Sequence, residues 1–266
     1  MNASHYPGLR VQRQGATAVI TLSNPPAHTW TPESLAALAQ VVSDLREDRS
    51  VRALVLIGEG DKFFSAGADL RQFTPHDDGA DKAVAATMAA RFGQAFEALA
   101  DFPGVTIAAI NGYAMGGGLE CALACDFRIA EAHAVMALPE ASVGLLPCAG
   151  GTQWLAWMVG ESWAKRLILL GERLDAETAQ RIGLVDAVVP RGQGLSTALE
   201  WAQRVLRQSP AAVRACKRLI QAARGLPPRH TLPAEREAFV ALFDGADRAE
   251  GVRAFLDKRS PQWSDA

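Results

Sequence analysis

The chain has 266 residues, 49% hydrophobic and 21% charged, a balance that excludes general disorder. Its 27 basic and 29 acidic side chains leave a net charge of -2, so no broad basic field exists to hold nucleic acid. The cysteines, Cys121, Cys125, Cys148 and Cys216, are too few and too scattered for a disulfide framework and fit a reducing compartment.

The opening Met1-Asn2-Ala3-Ser4-His5-Tyr6-Pro7 lacks the basic and then apolar order of a signal peptide. No uninterrupted apolar stretch reaches the length of a membrane span. A soluble, cytoplasmic protein with no membrane or nucleic-acid partner is the expectation.

Leu9, Val11 and Arg13, then Ala18 to Leu22, predict two strands joined by a turn at Gln14-Gly15. Asn24-Pro25-Pro26 stops the second strand, because proline cannot donate to the ladder. Thr31-Pro32-Glu33 opens a helix with a capping hydroxyl, a proline at the first position and an acid in the first turn. Leu35, Leu38, Val42 and Leu45 give that helix one apolar face. Val51 to Ile57 reads as a buried, parallel strand.

The alternation continues with a helix over Asp81 to Leu99, a buried strand over Val105 to Ile110 and a loop through the glycines that follow. A helix begins at Leu119, short strands follow at Phe127 to Ala130 and Ala134 to Leu138, and Thr152 to Leu170 is helical. From about Ala176 strands nearly vanish. Ala176 to Ile182, Leu195 to Arg207, Ala211 to Ala223, Pro233 to Phe243 and Arg248 to Lys258 all read as helix. The pattern predicts an α/β core, residues 1–194, and a helical C-terminal region, residues 195–266, divided near Pro190-Arg191-Gly192-Gln193-Gly194.

Three glycine-bearing segments follow or precede these elements: Phe63 to Leu70, Asn111 to Glu120, and Pro147 to Thr152. Small residues at strand-to-helix turns let a ligand approach the backbone, and helix N-termini offer free N–H groups, so an oxyanion site is possible. Each segment taken alone reads more readily as a tight turn, since glycine is the default turn residue. The nucleotide phosphate loop, the dinucleotide fingerprint and the G-x-S-x-G nucleophile elbow are all missing from the sequence. Cys121 and Cys125 share a helix face, but no partner cluster completes a metal site, so no metal is expected and packing thiols are the plainer reading. Glu120 and Glu140 lie in apolar stretches, where a carboxylate is costly unless paired, hydrogen-bonded or working.

Taken as a set, these segments resemble the crotonase superfamily of enoyl-CoA hydratases and isomerases. The resemblance runs through Asn24-Pro25-Pro26-Ala27, Phe63 to Leu70, Asn111 to Glu120, Cys125-Asp126, Pro139-Glu140, Ala149 to Thr152 and Gly183-Leu184-Val185-Asp186, and ends with Glu250 to Arg259. It implies a spiral of ββα units whose helical C-terminal region assembles trimers or dimers of trimers. It implies an acyl-CoA thioester substrate, with coenzyme A entering as part of that substrate and no separate cofactor. The backbone N–H groups of Ala68 and Gly117 would hold the thioester oxygen. Glu120 would activate the water that attacks C3, and Glu140 would deliver a proton to C2. Ala27, Ala66, Asp69 and Leu70 would lie along the CoA moiety, with Arg71 and Lys258 near its phosphates.

Two departures stand against the family pattern. His28 and Trp30 replace the usual asparagine and leucine, and Cys148 stands where many hydratases carry glycine. Cysteine keeps the backbone N–H, which the resemblance would set against the water or the second acid, but narrows the pocket. A nucleophilic Cys148 is the sharper alternative, though no histidine motif is available to activate it. The expected activity is hydration of a trans-2-enoyl-CoA to a 3-hydroxyacyl-CoA. The alternatives are a double-bond isomerase working through Glu140 alone, or an acyl-CoA-binding member with reduced catalysis. Phe73 and the stretch 74–86 are expected to wall the acyl pocket.

Overall fold

The computed structural model describes residues 4–74 and 81–264. Strands β1 (Ser4–Tyr6), β2 (Leu9–Gln14) and β3 (Thr17–Leu22) form an antiparallel meander, with the β2–β3 turn where Gln14-Gly15 predicts it. Helix α1 (Pro32–Glu47) starts at Thr31, whose hydroxyl accepts from Ser34 N while the Ser34 hydroxyl accepts from Thr31 N, a reciprocal capping box. Beyond it come β4 (Ala53–Gly58), β5 (Phe63–Ser65) and α2 (Asp81–Ala100). Then follow β6 (Val105–Ile110), β7 (Tyr113–Met115) and α3 (Gly117–Leu123), and after them β8 (Phe127–Glu131), β9 (Val135–Ala137) and α4 (Gly151–Leu169). Each of these three rounds is strand, strand, helix, the expected ββα unit.

The first strand of each round joins one sheet and the second strand joins another. Among the described residues the larger sheet runs β1-β2-β3-β4-β6-β8-β11, parallel from β3 onward, where β11 is Ala187–Val189. The smaller sheet runs β10-β9-β7-β5, with β5, β7 and β9 parallel and β10 (Leu174–Asp175) antiparallel at its edge. Asn111 ties successive rounds together: its side chain bonds Gly58 N, Gly58 O and Gly60 O, joining the β6–β7 bend to the β4–β5 crossing.

Side chains alternate across the larger sheet as the pleat dictates. Leu54, Leu56, Ala108 and Ile110 face the core beneath α1 and α2, while Ala53, Val55, Ile107 and Ala109 face the other way. That second face is covered by α6 (Gly194–Leu206) through Ala198 and Ala202. The division expected at 194/195 thus falls at the start of a helix that covers the sheet. After α5 (Ala176–Arg181), which precedes β11, and α6 come α7 (Pro210–Ala222), α8 (Pro228–Ala241) and α9 (Ala246–Leu256). Helix α7 is tied to the body by Lys217, whose ammonium lies 2.7 Å from Asp126 Oδ2 and 3.0 Å from Gly104 O.

Four expectations need correcting. Strand β11 lies where strands are expected nearly to vanish, because three half-buried residues at a sheet edge carry no alternating pattern to read. The loop expected after β6 contains strand β7, and α3 begins at Gly117, two residues before Leu119. Helix α8 begins at Pro228, with Pro233 inside it, because the first of the two prolines takes the N-terminal position. The strand expected over Ala134 to Leu138 spans only Val135–Ala137, and Glu140 opens a 3-10 turn, Glu140–Val143.

Candidate active site

Three parallel strands of the smaller sheet end side by side, and each is followed by one of the segments that carry chemistry. Ala66 to Asp69 follows β5, Gly116-Gly117 follows β7, and Pro139-Glu140 lies just beyond β9. Topology alone therefore gathers residues far apart in sequence at the carboxyl ends of neighbouring strands, the usual place for a ligand in such sheets.

The first segment is clamped by the chain after β3. Trp30 N donates to Gly67 O at 2.8 Å and Asp69 N to Trp30 O at 2.9 Å, so Trp30 brackets Ala68. Ala66 N donates to Ala27 O at 2.9 Å. In this parallel bridge the Ala68 N–H faces away from Trp30 and has no partner among the described residues. Gly67 sits at φ +89, where a Cβ would come within 2.6 Å of Met115 O and 3.1 Å of Gly117 N, so the two segments pack backbone to backbone. Gly117 is the first residue of α3, and its N–H is one of the donors a helix leaves open. It too has no partner among the described residues. Two unsatisfied N–H groups thus meet on adjoining segments.

Glu120, one turn into α3, is 2% exposed. Its Oε1 accepts from Ala149 N at 2.8 Å and Gly151 N at 2.9 Å, and its Oε2 accepts nothing among the described residues. Burial raises its pKa, and the N–H groups of Gly151 and Ala149 oppose that rise. The donors that hold an acid are therefore Ala149 and Gly151 rather than Cys148, and the acid they hold is Glu120. The sequence offered the Gly150-Gly151 pair before α4 as the only sign of this loop.

Glu140 has different surroundings. Its Oε2 is buried without a hydrogen bond, and its pKa is pushed up to about 7, first by burial and then by the charge of Glu120. A Cβ on Gly116 would stand 2.9 Å from Glu140 Oε1. Gly116 also adopts φ 52 and ψ -126, a conformation open to glycine, so it seats the second acid. This role was missed in the sequence, although the Gly116-Gly117-Gly118 run was its signal.

The residues expected along CoA divide into two groups. Ala27, Ala66, Asp69, Leu70 and Arg71 lie together beside Ala68. Asp69 caps the 3-10 turn Leu70–Phe73, and its carboxylate is held by Arg71 at 2.7 Å, which keeps it below the usual range. Leu70 and Arg71 are exposed. Lys258 belongs to the C-terminal region, exposed beyond the end of α9 at φ 53. Phe73 is half-buried at the end of its turn, whereas positions 75–80 of the expected acyl wall lie outside the described residues.

The departures also have definite places. His28 is buried at φ 52, with Nε2 2.8 Å from Glu59 O, and Trp30 is packed edge-on against Phe96 in the core. Cys121 and Cys125 are buried, and burial pushes the Cys125 thiol up to about 12. Cys148 is exposed as a residue, yet its thiol is crowded and is pushed up to about 11 by desolvation, with the charges of Glu120 and Glu140 adding. Such a thiol is mostly protonated at neutral pH, which weighs against the nucleophilic alternative.

The ends of three parallel strands thus bring together two open N–H donors and two carboxylates in unequal surroundings. The chain matches the family described as enoyl-CoA hydratase/isomerase over residues 12–266, and it belongs to that family. Membership implies an acyl-CoA substrate. The 2,3-dehydroadipyl-CoA hydratase of Escherichia coli (strain K12) is 38% identical over 96% of this chain and 98% of its own length. The short-chain-enoyl-CoA hydratase of Clostridium acetobutylicum is 34% identical over 94% of each. The solved structure of Pseudomonas aeruginosa DspI is 60% identical, with a TM-score of 0.94, over 99% of this chain and 98% of that one. Among the described residues no helix is long and apolar enough to cross a membrane.

Proposed function

We propose that the chain is an enoyl-CoA hydratase that adds water across the 2,3 double bond of a trans-2-enoyl-CoA to give a 3-hydroxyacyl-CoA. The observation that carries this reading is the pair of neighbouring carboxylates in unequal surroundings, Glu120 pinned by two N–H donors and Glu140 without one for its buried oxygen. Two acids that must act in opposite protonation states are separated by such differences in environment. Hydratase relatives add to it.

In this mechanism the N–H groups of Ala68 and Gly117 hold the thioester oxygen as charge develops on it. Glu120, as carboxylate, takes a proton from water through its free Oε2 while the water oxygen attacks C3. Glu140, as the acid, gives its proton to C2. The sum is one water added, with the two carboxyl groups left in exchanged protonation states for the next proton transfer. A value near 7 suits Glu140 to this work, since it is protonated in about half the molecules at neutral pH. In this reading the CoA moiety lies along Ala27, Ala66, Asp69 and Leu70, and Arg71, whose guanidinium is exposed while paired with Asp69, meets the phosphates. Lys258 reaches them only from the C-terminal region.

That region, residues 195–266, we also assign to assembly as a trimer or a dimer of trimers. Support comes from α8 and α9, where Leu232, Phe239, Val240, Val252 and Phe255 are exposed. Cytoplasmic residence belongs to the same proposal and is supported by the free thiols of Cys121, Cys125, Cys148 and Cys216. An isomerase would need Glu140 alone, and the two N–H groups that aim Glu120 favour hydration over it. A binding-only member would bear the cost of two desolvated carboxylates without using them.

Crotonyl-CoA is the first substrate to try, with loss of the conjugated thioester followed by absorbance and the product identified by mass. Glu120→Gln and Glu140→Gln are each expected to cut turnover by about a hundredfold or more. Full activity in either variant removes that residue from the mechanism, and a product of unchanged mass points to the isomerase.

A further inference from the structure

Cys148 takes no part in the chemistry above, yet it is fixed beside both acids. Its carbonyl carbon is bonded to Ala149 N, the donor 2.8 Å from Glu120 Oε1, and its thiol feels the charges of Glu120 and Glu140. The loop that carries it has no room to recede. Pro147 and Ala149 on either side are buried, and a Cβ on Gly150 would meet the Trp154 ring at 2.4 Å. Cys148 itself is exposed, and it adjoins the side of the loop on which Ala149 N meets Glu120. A second, independent feature marks that side as the place of a ligand: Glu120 is 2% exposed with Oε2 unpartnered among the described residues, and Glu140 Oε2 is buried without a hydrogen bond. Both acids thus leave an oxygen free for the reacting carbons.

We infer that the Cys148 side chain sets the width of the space beside the two carboxylates and selects acyl groups that are unbranched at C2 and C3. This rests on the hydratase reading, because C2 and C3 are the carbons that Glu140 and Glu120 address. The thiol acts as a neutral wall. It is protonated at neutral pH, so it brings no charge to the site. A single methyl group meeting such a wall is discriminated by roughly 10- to 200-fold.

The test compares kcat/KM for crotonyl-CoA with kcat/KM for its 2-methyl and 3-methyl analogues. In Cys148→Gly the ratio of branched to unbranched substrate is expected to rise about tenfold or more. In Cys148→Ser, a near-isosteric wall, the ratio is expected to stay within about threefold of wild type. An unchanged ratio in Cys148→Gly, or an equal change for all three substrates, overturns the inference. A second measurement needs neither variant folding nor turnover. Wild-type protein is treated with methyl methanethiosulfonate, with and without 3-hydroxybutyryl-CoA, and each cysteine is followed by peptide mass. Cys148 is expected to be protected by the CoA ester and Cys216, exposed on α7, to be modified equally in both. Modification of Cys148 at the same rate with saturating ester overturns the inference. Wild-type protein that protects Cys148 but hydrates none of the three substrates fails the hydratase reading instead, so the two failures are told apart.

Discussion

Strand β6 and helix α8 are opposite kinds of element. All six residues of β6 are buried, with neighbours on both faces and both edges. Helix α8 buries none of its residues, and it turns Leu232, Phe239 and Val240 outward. The first finishes its contacts within one chain, and the second leaves them open. The site belongs to the finished part, since Ala68, Gly117, Glu120 and Glu140 all follow strands of the smaller sheet. On the proposed reading, chemistry and assembly fall to different regions of the sequence, and the two regions should respond differently to substitution.

The largest effect is expected where the finished part carries its open N–H groups. Gly117→Pro deletes one donor and distorts the start of α3. Turnover of crotonyl-CoA is expected to drop by roughly a hundredfold while binding of the CoA ester changes less. Circular dichroism must show intact structure for the result to count. A folded variant near the wild-type rate would remove the oxyanion assignment.

A smaller effect is expected from pH. Hydration needs Glu120 as carboxylate and Glu140 as acid. Activity should fall above pH of about 7, where Glu140 loses its proton, by roughly tenfold per unit at the limit. It should also fall at low pH, along a limb above the ordinary glutamate range because Glu120 is raised. The two limbs belong to the pair, since the acids feel each other. A profile of kcat/KM that stays flat from pH 6 to 9, roughly the span in which such groups titrate, would contradict the assignment.

The smallest effect on the folded chain is expected on α8 and α9. Val240→Asp and Phe255→Asp replace exposed residues and should change the stability of a single chain by about 0.5 kcal/mol or less. Light scattering should nevertheless show smaller particles than wild type. Unchanged mass in both variants would break the contrast between the regions.

The same contrast explains what could be read from residues alone. Thr31-Pro32-Glu33 announced α1 because a cap is a local device, and Val105 to Ile110 announced a buried strand because every position is apolar. Strand β11 and the true start of α8 were not legible, since a half-buried edge and a helix that buries none of its residues leave little pattern. Glu120 and Glu140 stood out as charges in apolar stretches. What holds them did not: Gly116 and the N–H groups of Ala149 and Gly151 act through backbone, which has no letter in a sequence. That Ala66 to Asp69, Gly116-Gly117 and Glu140 share one end of three parallel strands is a property of topology, visible only once β5, β7 and β9 are paired.

Glu140 carries a consequence for folding as well. Its carboxyl takes up a proton more readily in the native state than in an unfolded chain, where glutamate has its ordinary value. Between that value and about 7 the native state therefore binds more protons than the unfolded one, and the contribution of this group to stability declines as pH rises through the window. Glu140→Gln has no proton to lose, so its melting temperature should decline less than wild type between pH 5 and pH 8, roughly the range bracketing the shift. Parallel declines in the two proteins would show that the native fold tolerates the charged carboxylate without loss. If the declines diverge, the proton that serves the reaction also steadies the fold, and mildly alkaline solution withdraws both together.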